Sequence, residues 1–301
     1  MSPGVSRGGV EWLCVKECLR FSRRHHRYFL IFLMLYWHSL WHWNNARAAR
    51  YGFCFLQLYD DIMDGDRVTS TAPDVIAAQT IAEWESGQFR GDTSLSRLAA
   101  ALDVSLRSLH LLPDDDPRHD VLVLLKAMRR DAQRVATQAL LTRTELTEHL
   151  RATFHHSVNL LLIASQMQAR AETVPDLVAA LGWCSVVRDL GEDLHKGLVN
   201  VPDDVVRRVE ATSGKLTVQH PETRRWLNEE KLTALIHLRN SAATLQTIAT
   251  NEPRAARLLG SFHHSIERYV NEERTGFLKK LSDKLRVMET EPKRSPHDAT
   301  P

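Results

Sequence analysis

Residues 187–202 read VRDLGEDLHKGLVNVP, and the fold follows from how this stretch is understood. Asp189, Glu192 and Asp193 are spaced by three and four. On a helix that spacing puts all three carboxylates on one face. Like charges so arranged repel and weaken a helix unless a cation sits over them. A second stretch, LYDDIMDGDR, carries Asp60, Asp61 and Asp64 in nearly the same pattern. Two acidic helix faces, about 130 residues apart in the chain, suggest one cavity with metal ions between them. A donor set made only of oxygen suits Mg²⁺, with Mn²⁺ as the substitute.

Composition supports a helical reading of the rest. The 301 residues are 43% hydrophobic, enough for a sizeable core, and glycine and proline are sparse. Net charge is +2, so no global field selects nucleic acid. Four cysteines imply no disulfide framework, and a reducing, cytoplasmic home is the default expectation. Residues 1–19 are expected to be disordered. An apolar run from Tyr28 to Trp43 follows a basic start that includes Arg23 and Arg24. At about 16 residues it falls short of the roughly 20 needed to span a bilayer. A targeting segment, with Ala46 and Ala48 as a cleavage-like pair, competes with a buried helix, and the buried helix is preferred. Trp37, Trp41 and Trp43 would either line the cavity or touch a membrane surface.

Further along, Tyr51, Phe55, Leu58 and Ile62 recur at helical spacing ahead of the first acidic motif, and Gly65 is placed to end that helix. Helical patterns continue at 75–88, 93–112, 118–138, 144–170, from Pro175 onward, 226–250 and 252–287. Pro113 to Pro117 encloses Asp114, Asp115 and Asp116, read as a turn and helix cap rather than a metal site. Thr144 with Glu148 is read as a helix entry. No strand pattern of length and no repeat are visible, so the expected architecture is all-α: one helical bundle over 20–287 with a central cavity, and a disordered tail at 288–301.

Arg188, Asp189, Glu192, Asp193, Gly197 and Pro202 resemble the RDxxEDxxxGRxYxP signature of the squalene/phytoene synthase family, the head-to-head isoprenyl diphosphate synthases. Asp60, Asp61 and Asp64, following the aromatic Phe53, are similar to that family's first aspartate motif, and HHRYF at 25–29 more distantly to its early Ser-Phe helix. The resemblance covers roughly residues 20–285. It implies an isoprenoid-synthase bundle, Mg²⁺, and isoprenyl diphosphate substrates joined through a cyclopropyl intermediate that some members reduce with NADPH. It also implies that Asp60, Asp61, Asp64, Asp189, Glu192 and Asp193 hold metal, with Asp60, Asp64, Asp189 and Asp193 central to catalysis.

Arg188 is the foremost diphosphate candidate. Arg47 and Arg50, four turns up from Asp61 and Asp64, and Lys196 are further ones. His155 and His156 are read as satisfied polar contacts or cavity lining. Tyr28, Phe29, Phe53 and Phe154 are read mainly as core, with one or two lining the cavity.

The departures from the family pattern cluster around the carboxylates. Gln57 stands where the family has arginine, Gly182 and Ser185 where it has glutamine and asparagine, and Leu198 and Asn200 where it has arginine and tyrosine. A changed polar shell alters diphosphate grip and cation handling more than metal binding. A divergent member is therefore expected. It would condense prenyl units, cyclise a single prenyl diphosphate, or act silently as a binding or assembly factor.

Overall fold

The computed structural model describes residues 7–24, 36, 37, 39, 43, 46–212 and 214–290, with side chains from Gly8 to Arg23 and up to Asn271. Among these, ten α-helices and one short 3₁₀ turn account for the regular structure, and no strand is present. The helices are α1 (Arg7–Arg24), α2 (Arg47–Met63), α3 (Pro73–Ser86), α4 (Ser94–Arg107) and α5 (Pro117–Thr137). They continue as α6 (Arg143–Ala164), α7 (Pro175–Lys196), α8 (Asp203–Ala211), α9 (Pro221–Asn251) and α10 (Pro253–Thr290). The all-α reading holds. None of the described helices is long and apolar enough to cross a membrane.

The first acidic motif ends α2. Tyr51, Phe55, Leu58 and Ile62 are buried, as their spacing predicts, and Ala48, Cys54 and Tyr59 widen the apolar face. Phe55 stacks on Trp84 of α3, with ring centroids 5.7 Å apart. The Tyr59 hydroxyl donates to the Leu125 carbonyl of α5 at 3.2 Å. The helix stops at Met63 because Gly65 takes a left-handed conformation with φ of 73°. A neighbouring core joins α6 and α7 to α9 and α10 through Leu162, Leu177, Val178, Leu238 and Leu259.

The N-terminus differs from the sequence expectation. Residues 7–19, expected to be disordered, belong to α1, which buries Val10, Cys14, Cys18 and Phe21 on α2. Those four residues follow helical spacing, but Gly8 and Gly9 dilute the signal. The helix is also held by charge. Glu11 accepts from Arg50 at 2.7 Å and from the Tyr51 hydroxyl at 3.0 Å, and Glu17 accepts from Arg67 at 2.8 Å. The Cys18 and Cys54 sulfurs lie 3.4 Å apart as free thiols. The expected tail also begins later, since α10 runs through Thr290.

Other boundaries shift for local reasons. The cap of α6 lies two residues before Thr144, because Thr142 forms a reciprocal capping box with Glu145. Helix α8, whose Val205, Val206 and Val209 are buried, was not expected; at nine residues it is too short for periodicity to stand out. The aspartates between Pro113 and Pro117 serve as expected. Asp116 caps α5 and Asp115 pairs with Arg170 at 2.5 Å. The segment HHRYF at 25–29, most of the apolar run and Trp41 lie outside the described residues. Of that region, Trp37 is exposed, and Trp43 packs on the Arg50 guanidinium at 4.0 Å.

The Glu11–Arg50 pair gives a direct stability test. Glu11→Ala would leave the fully buried Arg50 guanidinium without its carboxylate, a loss of about 3 kcal/mol for a broken buried pair. Urea unfolding should show that loss as a lower midpoint with an unchanged slope. An unchanged midpoint would mean that α1 contributes nothing to the stability of the bundle.

Candidate active site

The two acidic motifs come together at the C-terminal ends of α2 and α7. Lys196, in the last turn of α7, spans them. Its Nζ lies 3.3 Å from Glu192, 3.2 Å from Asp66 and 3.8 Å from Asp64. The lysine acts as a counter-ion shared by Asp64 and Asp66 after α2 and by Glu192 on α7. Asp64 and Glu192 are open to solvent, Asp60 and Asp193 are half-buried, and Asp61 is buried. Gln57, where the resembled family has arginine, donates to Asp60 at 3.4 Å and to Asp61 at 3.3 Å. A neutral amide thus holds the first pair, with hydrogen bonds but without charge.

Crowding and burial show in the ionisation of the cluster. Burial first, then the Asp64 and Asp61 charges, push the Asp60 carboxyl up to about 8. Asp64 keeps 44% of its side chain accessible, yet the protein around it displaces enough water to raise it to about 6 against the opposing pull of Lys196. Burial also raises Asp193 to about 6, with Asp189, Asp64 and Glu192 adding repulsion. The raised values reflect burial and mutual repulsion among these carboxylates.

Four residues to which the sequence reading gave no role in the site stand beside it: Asp131 and Arg134 on α5, His149 on α6, and Asn200 beyond α7. His149 Nε2 is 2.9 Å from Asp131. Arg134, buried, donates to Asp131 at 2.8 Å, to the Asn200 side-chain oxygen at 3.0 Å and to the Val199 carbonyl at 2.5 Å. Asn200 in turn donates to Asp193 at 3.1 Å. This relay fixes one oxygen of Asp193 from behind. No motif carries it, because its members are far apart in sequence and individually ordinary. Asn200 had been noted only as a departure from the family's tyrosine.

A cavity of about 180 Å³ opens beside this relay, lined by Asp189, Asp193, Ser185, Phe154, Thr153 and Val186 among others. Phe154 therefore does line a cavity. It also packs on Gly182, where a Cβ would meet its ring at 3.3 Å, so the aromatic ring occupies space that a longer side chain at 182 would need.

The cationic candidates separate clearly. Arg188 sits at the site but is turned onto its neighbour Asp189, at 2.5 and 2.9 Å. Arg50 is not a diphosphate ligand: it is fully buried, bound to Glu11 and covered by Trp43. Arg47 begins α2, about 20 Å along the helix from Asp60 at 1.5 Å per residue. Both arginines share a helix with the carboxylates, but the distance along it places them at the far end. His156 pairs with Asp120 at 2.6 Å, the satisfied contact expected of it.

Among the described residues no three His, Cys, Asp or Glu side chains converge as a ready-made metal set. The donor chemistry nevertheless fits a hard divalent cation. The donor atoms of both motifs are all carboxylate oxygens, the hard ligands that such an ion takes.

An all-α bundle that places two carboxylate motifs face to face at its helix ends is the architecture of an isoprenoid synthase. The family model for squalene/phytoene synthase matches residues 41–280, and the chain belongs to that family. The family's members are prenyltransferase-type synthases that use prenyl diphosphates and generally depend on divalent metals. No curated protein sequence matches the chain.

The raised carboxyls set a pH dependence. Asp60 has an ordinary value of 3.8 and one of about 8 in the folded chain. The folded state keeps a proton that the unfolded state has lost, so without metal, stability falls as pH rises from about 4 to about 8. Thermal melts in chelator across that window should show the decline, and Asp60→Asn should flatten it. A flat wild-type profile would contradict the buried, mutually repelling arrangement.

Proposed function

We propose that the chain is a divalent-metal-dependent prenyl synthase that ionises an allylic prenyl diphosphate, with Mg²⁺ as the working metal. The observation that carries this reading is the facing of the two carboxylate motifs across Lys196, which gathers two separated acidic faces into one region of excess negative charge. Asp60, Asp61 and Asp64 from α2, with Asp189, Glu192 and Asp193 from α7, would hold the cations directly or through water. Bound there, the cations supply charge neutralisation to the leaving diphosphate.

The chain's own residues do the rest. Arg188 and Lys196 are tied to carboxylates in the free chain. They turn to the diphosphate when the carboxylates are engaged, and their charge stabilises the departing oxygen. The Arg134–Asn200 relay keeps Asp193 in register throughout. Phe154, Val186 and Leu150 form an unreactive wall that excludes water from the allylic cation left when the C–O bond breaks. Gln57 in place of arginine weakens the charged grip on the first motif. For that reason we place this chain among the divergent members, in which the fate of the cation differs from ordinary squalene or phytoene formation.

Lys196 also favours a second reading. A lysine seated between the motifs holds a position that substrate-borne cations would otherwise fill, as expected of a family member that has kept the fold as a binding or assembly factor.

Diphosphate release separates these readings. Geranyl, farnesyl and geranylgeranyl diphosphates would be incubated with the chain and Mg²⁺, with and without NADPH, and the extracted products weighed by mass spectrometry. Release is expected, and Asp60→Ala or Asp189→Ala should each lower it by about 10³-fold or more while helical circular dichroism is unchanged. A product of doubled carbon number establishes condensation, and one of unchanged number a cyclase-like outcome. Activity that survives both substitutions overturns the site. No release from folded protein favours the silent member.

A further inference from the structure

Helix α1 separates its charges by face. Its two acidic residues turn toward the bundle and are answered there, Glu11 by Arg50 at 2.7 Å and Glu17 by Arg67 at 2.8 Å. Val10, Cys14, Cys18 and Phe21 fill the rest of the inner face. The outer face carries Trp12, Lys16, Leu19, Arg20 and Arg23, all exposed. At about 3.6 residues per turn these positions fall within an arc of about 100°, opposite the buried ones. Lys16, Arg20 and Arg23 make no ion pair among the described residues. No acid of α1 is left to balance them. In the adjoining α4 the single acid, Asp103, is held by Arg107 at 2.9 Å and by Arg118 at 2.6 Å. The acids of α2 are those of the first motif, in its last turn.

Apolar side chains stand among these cations. Trp12 is 70% exposed, and Leu19 lies two turns along the same face. Trp43, also exposed, packs over the Arg50 guanidinium that holds Glu11, the residue before Trp12. Its ring meets that of Tyr36 at 6.1 Å, and Tyr36 is followed by Trp37, which is 71% exposed. Among the described residues the exposed tryptophans thus gather at one end of α1, whereas Trp84, Trp183 and Trp226 are buried.

The combination selects the partner. Unbalanced cations on one face call for an anionic surface. Indole rings and a leucine set between them call for an apolar layer directly beneath the anions, which is the layering of a lipid headgroup region. A nucleic acid offers phosphates but no apolar layer for Leu19. A second copy docked face to face would set cation against cation. The continuous apolar face of α1 is already buried on α2, so its contact is with headgroups and not with the depth of the acyl chains.

We propose that the outer face of α1 docks the chain on an anionic bilayer, with Lys16, Arg20 and Arg23 at lipid phosphates and Trp12 and Leu19 at the boundary of the acyl chains. The contact requires neither metal nor prenyl diphosphate, so it stands apart from the reaction assigned to Asp60 and Asp189.

The test is co-sedimentation of the full chain, in chelator and without substrate, with vesicles of phosphatidylcholine alone or mixed with phosphatidylglycerol. Binding is expected to the mixed vesicles, much weaker to phosphatidylcholine alone, and falling as salt is raised. Lys16→Gln, Arg20→Gln and Arg23→Gln together should weaken it about 100-fold, at about fivefold for each cation. Trp12→Ser with Leu19→Ser should weaken it about tenfold or more. Asp60→Ala should bind as the wild type does. Circular dichroism melts check folding, and Arg20→Gln and Trp12→Ser taken singly decide the question if a multiple variant fails to fold. Equal binding to both vesicles, or binding that either set of substitutions leaves unchanged, overturns the proposal. So does duplex DNA that displaces the vesicles at equal phosphate concentration, which assigns a nucleic acid, or a dimer in sedimentation velocity that Trp12→Ser dissolves, which assigns a second copy. Diphosphate release is a separate readout: a chain that releases diphosphate but ignores vesicles overturns this proposal alone.

Discussion

Repulsion among carboxylates organises this molecule. Two acidic motifs are brought to the ends of α2 and α7, and one ammonium, Lys196, pairs with Asp64 and Asp66 on one side and Glu192 on the other. Negative charge so close to a protein interior is costly, and the cost shows in the raised carboxyls of Asp60, Asp64 and Asp193. Such an arrangement is a poor design for stability alone. It is understandable if the charge is meant for a ligand that brings its own cations, because the energy withheld in the free chain is recovered on binding.

The surroundings of the site keep those carboxylates in place while they repel. α2 is anchored by α1 through the Glu11–Arg50 and Glu17–Arg67 pairs, and by α3 and α5 through Trp84 and Leu125. α7 is anchored from behind by α6 and by the chain from His149 through Asp131 and Arg134 to Asn200. Rigid support of this kind lets the site hold strain without spreading it into the bundle. The layer formed by α6 and α7 lines two cavities, one with carboxylates and one with tryptophan and aliphatic side chains.

What the sequence makes legible is what depends on spacing along one helix. Asp189, Glu192 and Asp193 share a face because of a local rule, and so do Tyr51, Phe55 and Leu58. The family model over 41–280 covers both motifs, as the resemblance implied. What remained hidden depends on contacts between helices. Arg50 looked like a phosphate ligand because it shares a helix with Asp61; only the packing of α1 shows that Glu11 takes it. Asp131, Arg134, His149 and Asn200 form one network from four places in the chain, and no periodicity announces such a set. Residues 7–19 were misread because two glycines outweighed four well-spaced apolar residues.

The central claim is that the two acidic faces act as one cation site. Electron paramagnetic resonance of Mn²⁺ titrated into the chain with an unreactive farnesyl thiodiphosphate tests it most directly. The account predicts more than one bound Mn²⁺ per chain, close enough for spin–spin broadening, and loss of that broadening when either Asp60 or Asp189 is replaced by alanine. Mn²⁺ that fails to bind, or that binds as isolated ions insensitive to one of the two motifs, would contradict it.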